Sequence, residues 1–286
     1  MIKKVGVVGA GMMGAEIALC FAREGYPTML NDISLEIAEN GKKKQEKILD
    51  KSISKGKITE EDKAKTLENV HPTGDIKDLA DCDLVIEAVL EVWDVKKSVH
   101  ENLDKYCKAE TIIATNTSSI SISKLASCVG AERKGQFIGT HFNSPASVMK
   151  LVEVIPGLLT DDATAEEITE LLDKIGKVPV RVKDVVGFGL NRIFHCMYAE
   201  ACRLVEEGVC SAEDVDKICK YGLGHPMGIF ALLDITGHDL NLEVDEILFE
   251  AYGDRFRPSP QIQRLVDSGR LGRKTGAGFY DYGEKK

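Results

Sequence analysis

Near its start the chain passes from a short apolar strand at 5–8 through Gly9, Ala10, Gly11, Met12, Met13 and Gly14 into a helix that reaches about Arg23. This feature constrains the fold more than any other. Glycine at 9 permits a tight turn, glycine at 11 lets a ligand approach the backbone, and glycine at 14 lets the helix pack closely on the strand. A helix opening at the end of a strand also aims unpaired N–H groups and a positive dipole end at that ligand, which suits phosphate. Asp32 follows the next strand, about 20 residues beyond the glycines, where a carboxylate bonds ribose hydroxyls and repels a 2′-phosphate. The loop therefore predicts a Rossmann-type dinucleotide site that prefers NAD to NADP. FAD shares the same fingerprint.

Short apolar runs at 5–8, 28–30, 84–89, 111–114, 137–140, 151–155 and 178–182 alternate with helical stretches as far as about Lys183. Such alternation predicts an α/β domain over 1–184, with a mainly parallel sheet and helices on its faces. The lysine-rich section at about 36–68, broken near Gly56 and Thr59, reads as a helical hairpin inserted in that domain. From 185 to 286 the strand signal stops. Helical stretches interrupted by Gly and Pro, with Ser211 as an N-cap and Pro226 and Pro258 near helix starts, predict an all-α second domain. Glu284, Lys285 and Lys286 read as a frayed end.

Composition excludes several function classes. A formal net charge of -9 over 286 residues does not supply the basic surface that general nucleic-acid binding needs. The eight cysteines form no Cys-x-x-Cys pair, which suits reduced structural thiols and argues against zinc or another metal centre. No run approaches the ~18 apolar residues of a membrane span, and the N-terminus enters a strand directly, so the expected location is the cytoplasm.

The segment 139–155, GTHFNSPASVMKLVEVI, is where the chemistry is expected. It puts His141 after the strand at 137–140 and Glu153 inside the β-branched run at 151–155. A carboxylate buried unpaired costs several kcal/mol, so Glu153 needs a partner, and His141 would make with it a base and its orienting acid. The alternative is that Glu153 faces outward from an edge strand and His141 caps a loop. Histidine suits alcohol oxidation near neutrality, because it can take the hydroxyl proton in one direction and return it in the other.

With the glycine fingerprint, TNTSS at 115–119, the 141–155 segment, GFGLNR at 187–192 and RLGRKTGAGFYDY at 270–282, the chain resembles the L-3-hydroxyacyl-CoA dehydrogenases over essentially its whole length. It looks like the free-standing, two-domain short-chain members, the 3-hydroxybutyryl-CoA dehydrogenases. The resemblance implies NAD as cofactor, a short-chain (S)-3-hydroxyacyl-CoA as substrate, and a homodimer through the second domain. It makes His141 the acid and base and Glu153 its partner, with Ser118 and Asn191 holding the substrate oxygen and Ser118 also lining the nicotinamide site. Glu91, Lys96, Ser144 and Lys274 match cofactor contacts, and Lys55, beside Lys51 and Lys57, matches a coenzyme A contact. Other readings remain for several of these: an N-cap for Asn191, a loop hydrogen bond for Ser118, an exposed i,i+5 charge pair for Glu91 and Lys96, and a solvated helix face for the lysines. His71, His100, His195, His225 and His238 lack a carboxylate partner at suggestive spacing.

Two departures fall on the substrate side. Where relatives read HFFNP, this chain has His141, Phe142, Asn143, Ser144 and Pro145, so Ser144 takes the place of an asparagine. Where they read GFIVNR it has Gly189, expected to loosen the start of the helix carrying Asn191. These changes motivate a second reading, a dehydrogenase of a free hydroxy acid or sugar acid. A third is an NAD-binding structural or sensory protein without catalysis. Apolar stretches at 193–204 and 230–233 are the expected dimer surface.

Overall fold

A computed structural model describes residues 1–283; the expected frayed end at Glu284, Lys285 and Lys286 lies outside the described residues. The chain divides into two compact units, Met1–Val185 and Val186–Lys286.

The first unit is built on eight strands: β1 (Val5–Val8), β2 (Thr28–Asn31), β3 (Val70–Thr73), β4 (Leu84–Glu87), β5 (Ile112–Thr115), β6 (Phe137–Phe142), β7 (Leu151–Pro156) and β8 (Val178–Arg181). They form one sheet in the order β3-β2-β1-β4-β5-β6-β7-β8. Every pairing is parallel except β6 with β7. The helices are α1 (Met12–Arg23), α2 (Leu35–Ile53), α3 (Glu60–Glu68), α4 (Trp93–Tyr106), α5 (Ile122–Leu125) and α6 (Asp162–Lys174). The chain reverses direction across the sheet between β1 and β4, the place where open α/β sheets open a crevice at their carboxyl ends. Central strands such as β1, β4 and β5 are buried at every residue, as two-sided cover requires.

Sequence reading finds seven of these strands and misses β3, whose four residues include Pro72. Proline removes a ladder donor and argues against a central strand, but β3 is at the sheet edge, where that loss is tolerated. The inserted hairpin is α2 and α3. Thr59 closes a capping box with Asp62, which fixes the start of α3 after the turn at Gly56.

The second unit is helical, with α7 (Leu190–Glu206), α8 (Ala212–Lys217), α9 (Ile229–Thr236), α10 (His238–Tyr252) and α11 (Pro260–Asp267), and two isolated bridges in its tail. Ser211 caps α8 by accepting from the Asp214 N–H. Its core gathers Tyr198, Phe230, Leu233 and Ile262. Phe230 and Leu233, expected at a dimer surface, are instead fully buried inside this unit. Tyr198, Ala201 and Cys202 of the 193–204 stretch are buried there too, so much of that expected surface is core. Among the described residues no helix is long and apolar enough to cross a membrane.

Candidate active site

Gly9, Asp32, Glu91, Ser118 and His141 lie at or just beyond the carboxyl ends of β1, β2, β4, β5 and β6, at one edge of the sheet. At the end of β1, Gly9 has a φ of +100°, and a Cβ there would press on the Ala88 carbonyl. A Cβ at Gly14 would sit 1.7 Å from the Gly9 oxygen, so α1 could not approach β1 with any larger residue. Gly11 differs, since a Cβ there would meet nothing within 4 Å. It faces the open space that a pyrophosphate would take, and the first turn of α1 begins one residue later with Met12, which is 67% exposed, and Met13, packed against the core. At the end of β2 the Asp32 carboxylate accepts from Ala10 N at 2.6 Å and from Ile33 N at 2.7 Å. One donor on each oxygen leaves further lone pairs for ribose hydroxyls. These residues fit a dinucleotide.

His141 and Glu153 face each other. β6 extends to Phe142, two residues further than expected, so His141 lies within the strand and does not cap a loop. The antiparallel register pairs His141 directly with Glu153, which puts both side chains on one face of the sheet. His141 Nδ1 lies 2.8 Å from Glu153 Oε2, and both residues are buried. A carboxylate can only accept, so Nδ1 carries the proton of this bond and Nε2 faces the site. Ser118 Oγ stands 3.1 Å from that Nε2.

Ser118 is held by a carboxylate. Glu91 Oε1 accepts from the backbone N–H of Ser118 and Ser119 at 2.9 Å each, from Ile120 N, and from the hydroxyls of Thr117 and Ser119. Burial acts to raise the Glu91 carboxyl, but the Lys96 charge and these hydrogen bonds override it and hold it below the usual carboxylate range. Lys96 is not half of an exposed pair. Its side chain is 1% exposed, with Nζ 2.7 Å from Glu87 Oε1 and 3.2 Å from Glu91 Oε2.

Glu87, fully buried at the end of β4, escaped sequence reading. Its Oε1 also accepts from Val89 N, and its Oε2 accepts from Thr115 Oγ1 at 2.7 Å. Burial raises its carboxyl, yet the His100 ring and Lys96 bring its pKa down to about 2. Lys96 is the better partner by geometry, because His100 Nε2 stands 3.3 Å away and out of hydrogen-bond alignment. The signal was present, a carboxylate closing the run Leu84, Val85, Ile86, the same pattern that singled out Glu153. Asn116 was also missed, and its Oδ1 accepts from Phe142 N beside His141.

Asn143 does not stand in for the absent asparagine. Its amide donates to the Leu151 carbonyl at 3.2 Å, which ties the two ends of the β6–β7 connection, while Ser144 is exposed. The same connection is pinned by Ser147 to Glu16 and by Lys177 to the carbonyls of Ala146 and Met149. Lys55 stands exposed in the turn after α2.

In the second unit Gly189 is the N-cap of α7, a position where glycine is well tolerated, so the cost of a glycine inside a helix does not apply. Asn191 lies within the first turn and is not the cap. It follows Gly187 and Phe188, both at positive φ, the latter at 47°, uncommon for a bulky residue. Lys274 is bound by both oxygens of Asp239. Three of the histidines thought to lack carboxylates have them nearby: besides His100, His195 pairs with Asp245 at 2.8 Å and His238 with Asp234 at 2.6 Å. His195 and Asp245 are about 50 residues apart, so spacing could not reveal them.

Comparison with known proteins identifies the family. Residues 4–185 match the family described as 3-hydroxyacyl-CoA dehydrogenase, NAD binding domain, and residues 187–282 match the 3-hydroxyacyl-CoA dehydrogenase C-terminal domain. The chain is 44% identical over 280 residues to a probable 3-hydroxybutyryl-CoA dehydrogenase of Deinococcus radiodurans, covering 98% of this chain and 100% of that one. It is 42% identical to the 3-hydroxybutyryl-CoA dehydrogenase of Bradyrhizobium diazoefficiens, covering 99% and 96%. The crystal structure of (S)-3-hydroxybutyryl-CoA dehydrogenase from Ralstonia eutropha superposes with a TM-score of 0.94 at 41% identity, covering 99% of this chain and 100% of that one. The chain therefore belongs to the 3-hydroxyacyl-CoA dehydrogenase family, NAD-dependent oxidoreductases built from these two domains.

Proposed function

We propose that this enzyme interconverts (S)-3-hydroxybutyryl-CoA and acetoacetyl-CoA, with His141 as acid and base and Glu153 as its orienting partner. The hydrogen-bonded series Ser118 Oγ, His141 Nε2, His141 Nδ1, Glu153 Oε2 carries the reading. Glu153 fixes the tautomer that leaves the Nε2 lone pair toward the site and favours the imidazolium formed when Nε2 takes the hydroxyl proton. With substrate bound, the Ser118 hydroxyl turns its one proton from Nε2 to the substrate oxygen and donates to it as negative charge grows there. NAD, when bound, would supply the acceptor for the hydride that leaves carbon. In reduction the imidazolium returns its proton to the oxygen. Gly11 and the start of α1 would hold the pyrophosphate and Asp32 the adenosine ribose, with Met12, Met13, Glu91, Ser144 and Lys274 as further cofactor contacts; Lys96, matched to a cofactor contact by sequence, is buried and would act through Glu91. Asn191 is assigned to the substrate oxygen and Lys55 to coenzyme A.

The four-carbon substrate is supported by the names of the relatives above. Acetoacetyl-CoA with NADH tests the assignment: we expect loss of NADH absorbance with wild-type enzyme and none above background with His141→Ala. An undiminished rate in that variant sinks the assignment of His141. A free hydroxy acid turned over as well as its thioester would favour the second reading of the substrate.

We also propose a homodimer through the second unit, in the cytoplasm. Exposed apolar residues there, Ile193 (69%), Leu223 and Leu240 among them, support the first statement. A monomer by light scattering at micromolar concentration refutes it.

A further inference from the structure

We propose that Glu87 is a positioning residue for this reaction, setting through two hydrogen-bonded routes the loop that presents Ser118 to His141. The proposal rests on the reading of Ser118 and His141 given above. Glu87 is fully buried, and no step of that chemistry touches it.

The first route passes through charge. Glu87 Oε1 holds the Lys96 ammonium at 2.7 Å, and the same ammonium lies 3.2 Å from Glu91 Oε2. Glu91 Oε1 in turn gathers the N–H groups of Ser118, Ser119 and Ile120. Lysine is a point charge on a flexible stem, so the position of its ammonium is set by the carboxylates around it. Neutralising Glu87 hands the ammonium to Glu91 alone and moves the carboxylate on which the loop is hung.

The second route avoids lysine. Glu87 Oε2 accepts from Thr115 Oγ1 at 2.7 Å, and that hydroxyl oxygen accepts from Thr117 N at 3.3 Å. Thr117 precedes Ser118, and its own hydroxyl bonds Glu91. Both routes therefore end on the same short loop. A buried pair kept only for stability needs no such convergence, since apolar residues of similar volume often serve as well. A loop that must hold Ser118 Oγ at 3.1 Å from Nε2 does need it, because hydrogen bonds in a reacting assembly lose strength quickly with misplacement.

The test is a double-mutant cycle between Glu87→Gln and Ser118→Ala, read as the single-turnover rate of acetoacetyl-CoA reduction together with NADH affinity by fluorescence. Glutamine keeps the shape and an acceptor while removing the charge. Glu87→Gln is expected to slow the chemical step at saturating NADH roughly tenfold, and to slow the Ser118→Ala enzyme less than about twofold. Equal factors in both backgrounds overturn the proposal, as does a loss of NADH affinity without loss of rate. Thr115→Val cuts the second route without touching an ion pair and serves if Glu87→Gln does not fold. It too must lose its effect in the Ser118→Ala background, and an additive result overturns the proposal. Ser118→Ala alone separates the two levels: an undiminished rate refutes the role of Ser118 itself, whereas a slowed enzyme with additive variants refutes only the role of Glu87.

Discussion

Replacing Glu153 by glutamine removes one charge from a site where its value can be worked out. Glu153 is 2% exposed and meets His141 Nδ1 at 2.8 Å, so solvent screens the pair very little. Opposite unit charges with centres about 4 Å apart in an effective dielectric of about 20 interact by about 4 kcal/mol. In hydroxyacyl-CoA oxidation the imidazole gains its charge as it takes the proton, and roughly half of that interaction, about 2 kcal/mol, is realised when the proton is half transferred. Glutamine can present either end of its amide to Nδ1, which loosens the tautomer and costs about 1 kcal/mol more. Together these slow the chemical step by about 10²-fold. The assay is single-turnover NADH formation in stopped flow, which isolates chemistry from product release. NADH affinity and melting temperature report on the rest of the site and the fold, and both should stay near wild-type values. A single-turnover loss below about fivefold, or one that appears only in substrate affinity, refutes the reasoning that Glu153 acts through the charge on His141.

Three further outcomes follow from the geometry. Asp32→Asn removes the charge that repels a 2′-phosphate, so the NADH to NADPH affinity ratio should fall by roughly tenfold or more in equilibrium binding; an unchanged ratio refutes its role. Lys55→Ala should raise KM for acetoacetyl-CoA about threefold at low salt, with the difference fading as ionic strength rises; identical KM values at low salt remove Lys55 from the site. The Glu87 carboxyl falls from 4.5 to about 2 in the folded chain. A depressed acid stabilises in full above its unfolded value and loses that contribution as pH falls through the folded one, here something of the order of 3 kcal/mol between about pH 4.5 and 2. The gap in urea midpoint between wild type and Glu87→Gln should therefore narrow as pH drops through that window, and a constant gap contradicts the cause assigned to the shift.

The parts of the site visible in the sequence are those whose physics is local. Gly9, Gly11 and Gly14 act on the turn they occupy, and Asp32 sits at a distance from them set by one helix and one strand, so both were legible. His141 and Glu153 were visible as a buried acid seeking a base, though their direct opposition needed the register of two strands. Glu87 offers the same signal, but its apolar run continues in sequence to Val89, which hides a carboxylate at the strand's end. What Glu91 does depends on Thr117 to Ile120, 26 to 29 residues away, and no periodicity encodes that meeting. The pairing of His195 with Asp245 was hidden for the same reason, and β3 because Pro72 is an edge feature that a linear reading takes for a break.

The antiparallel pairing of β6 and β7 runs over five opposed positions, from Ile138 with Pro156 to Phe142 with Val152, and the dyad is one rung of that ladder. The ladder separates what can vary from what cannot. Residues may be added or removed in the connection at 143–150, reshaping whatever that loop contacts, while the rungs still bring imidazole and carboxylate together. A slip of one residue between the strands does the reverse, leaving the composition unchanged but turning Glu153 to the far side of the sheet. Design or divergence that seeks a new substrate on this scaffold thus has a segment to rewrite, and two strands whose alignment it must leave alone.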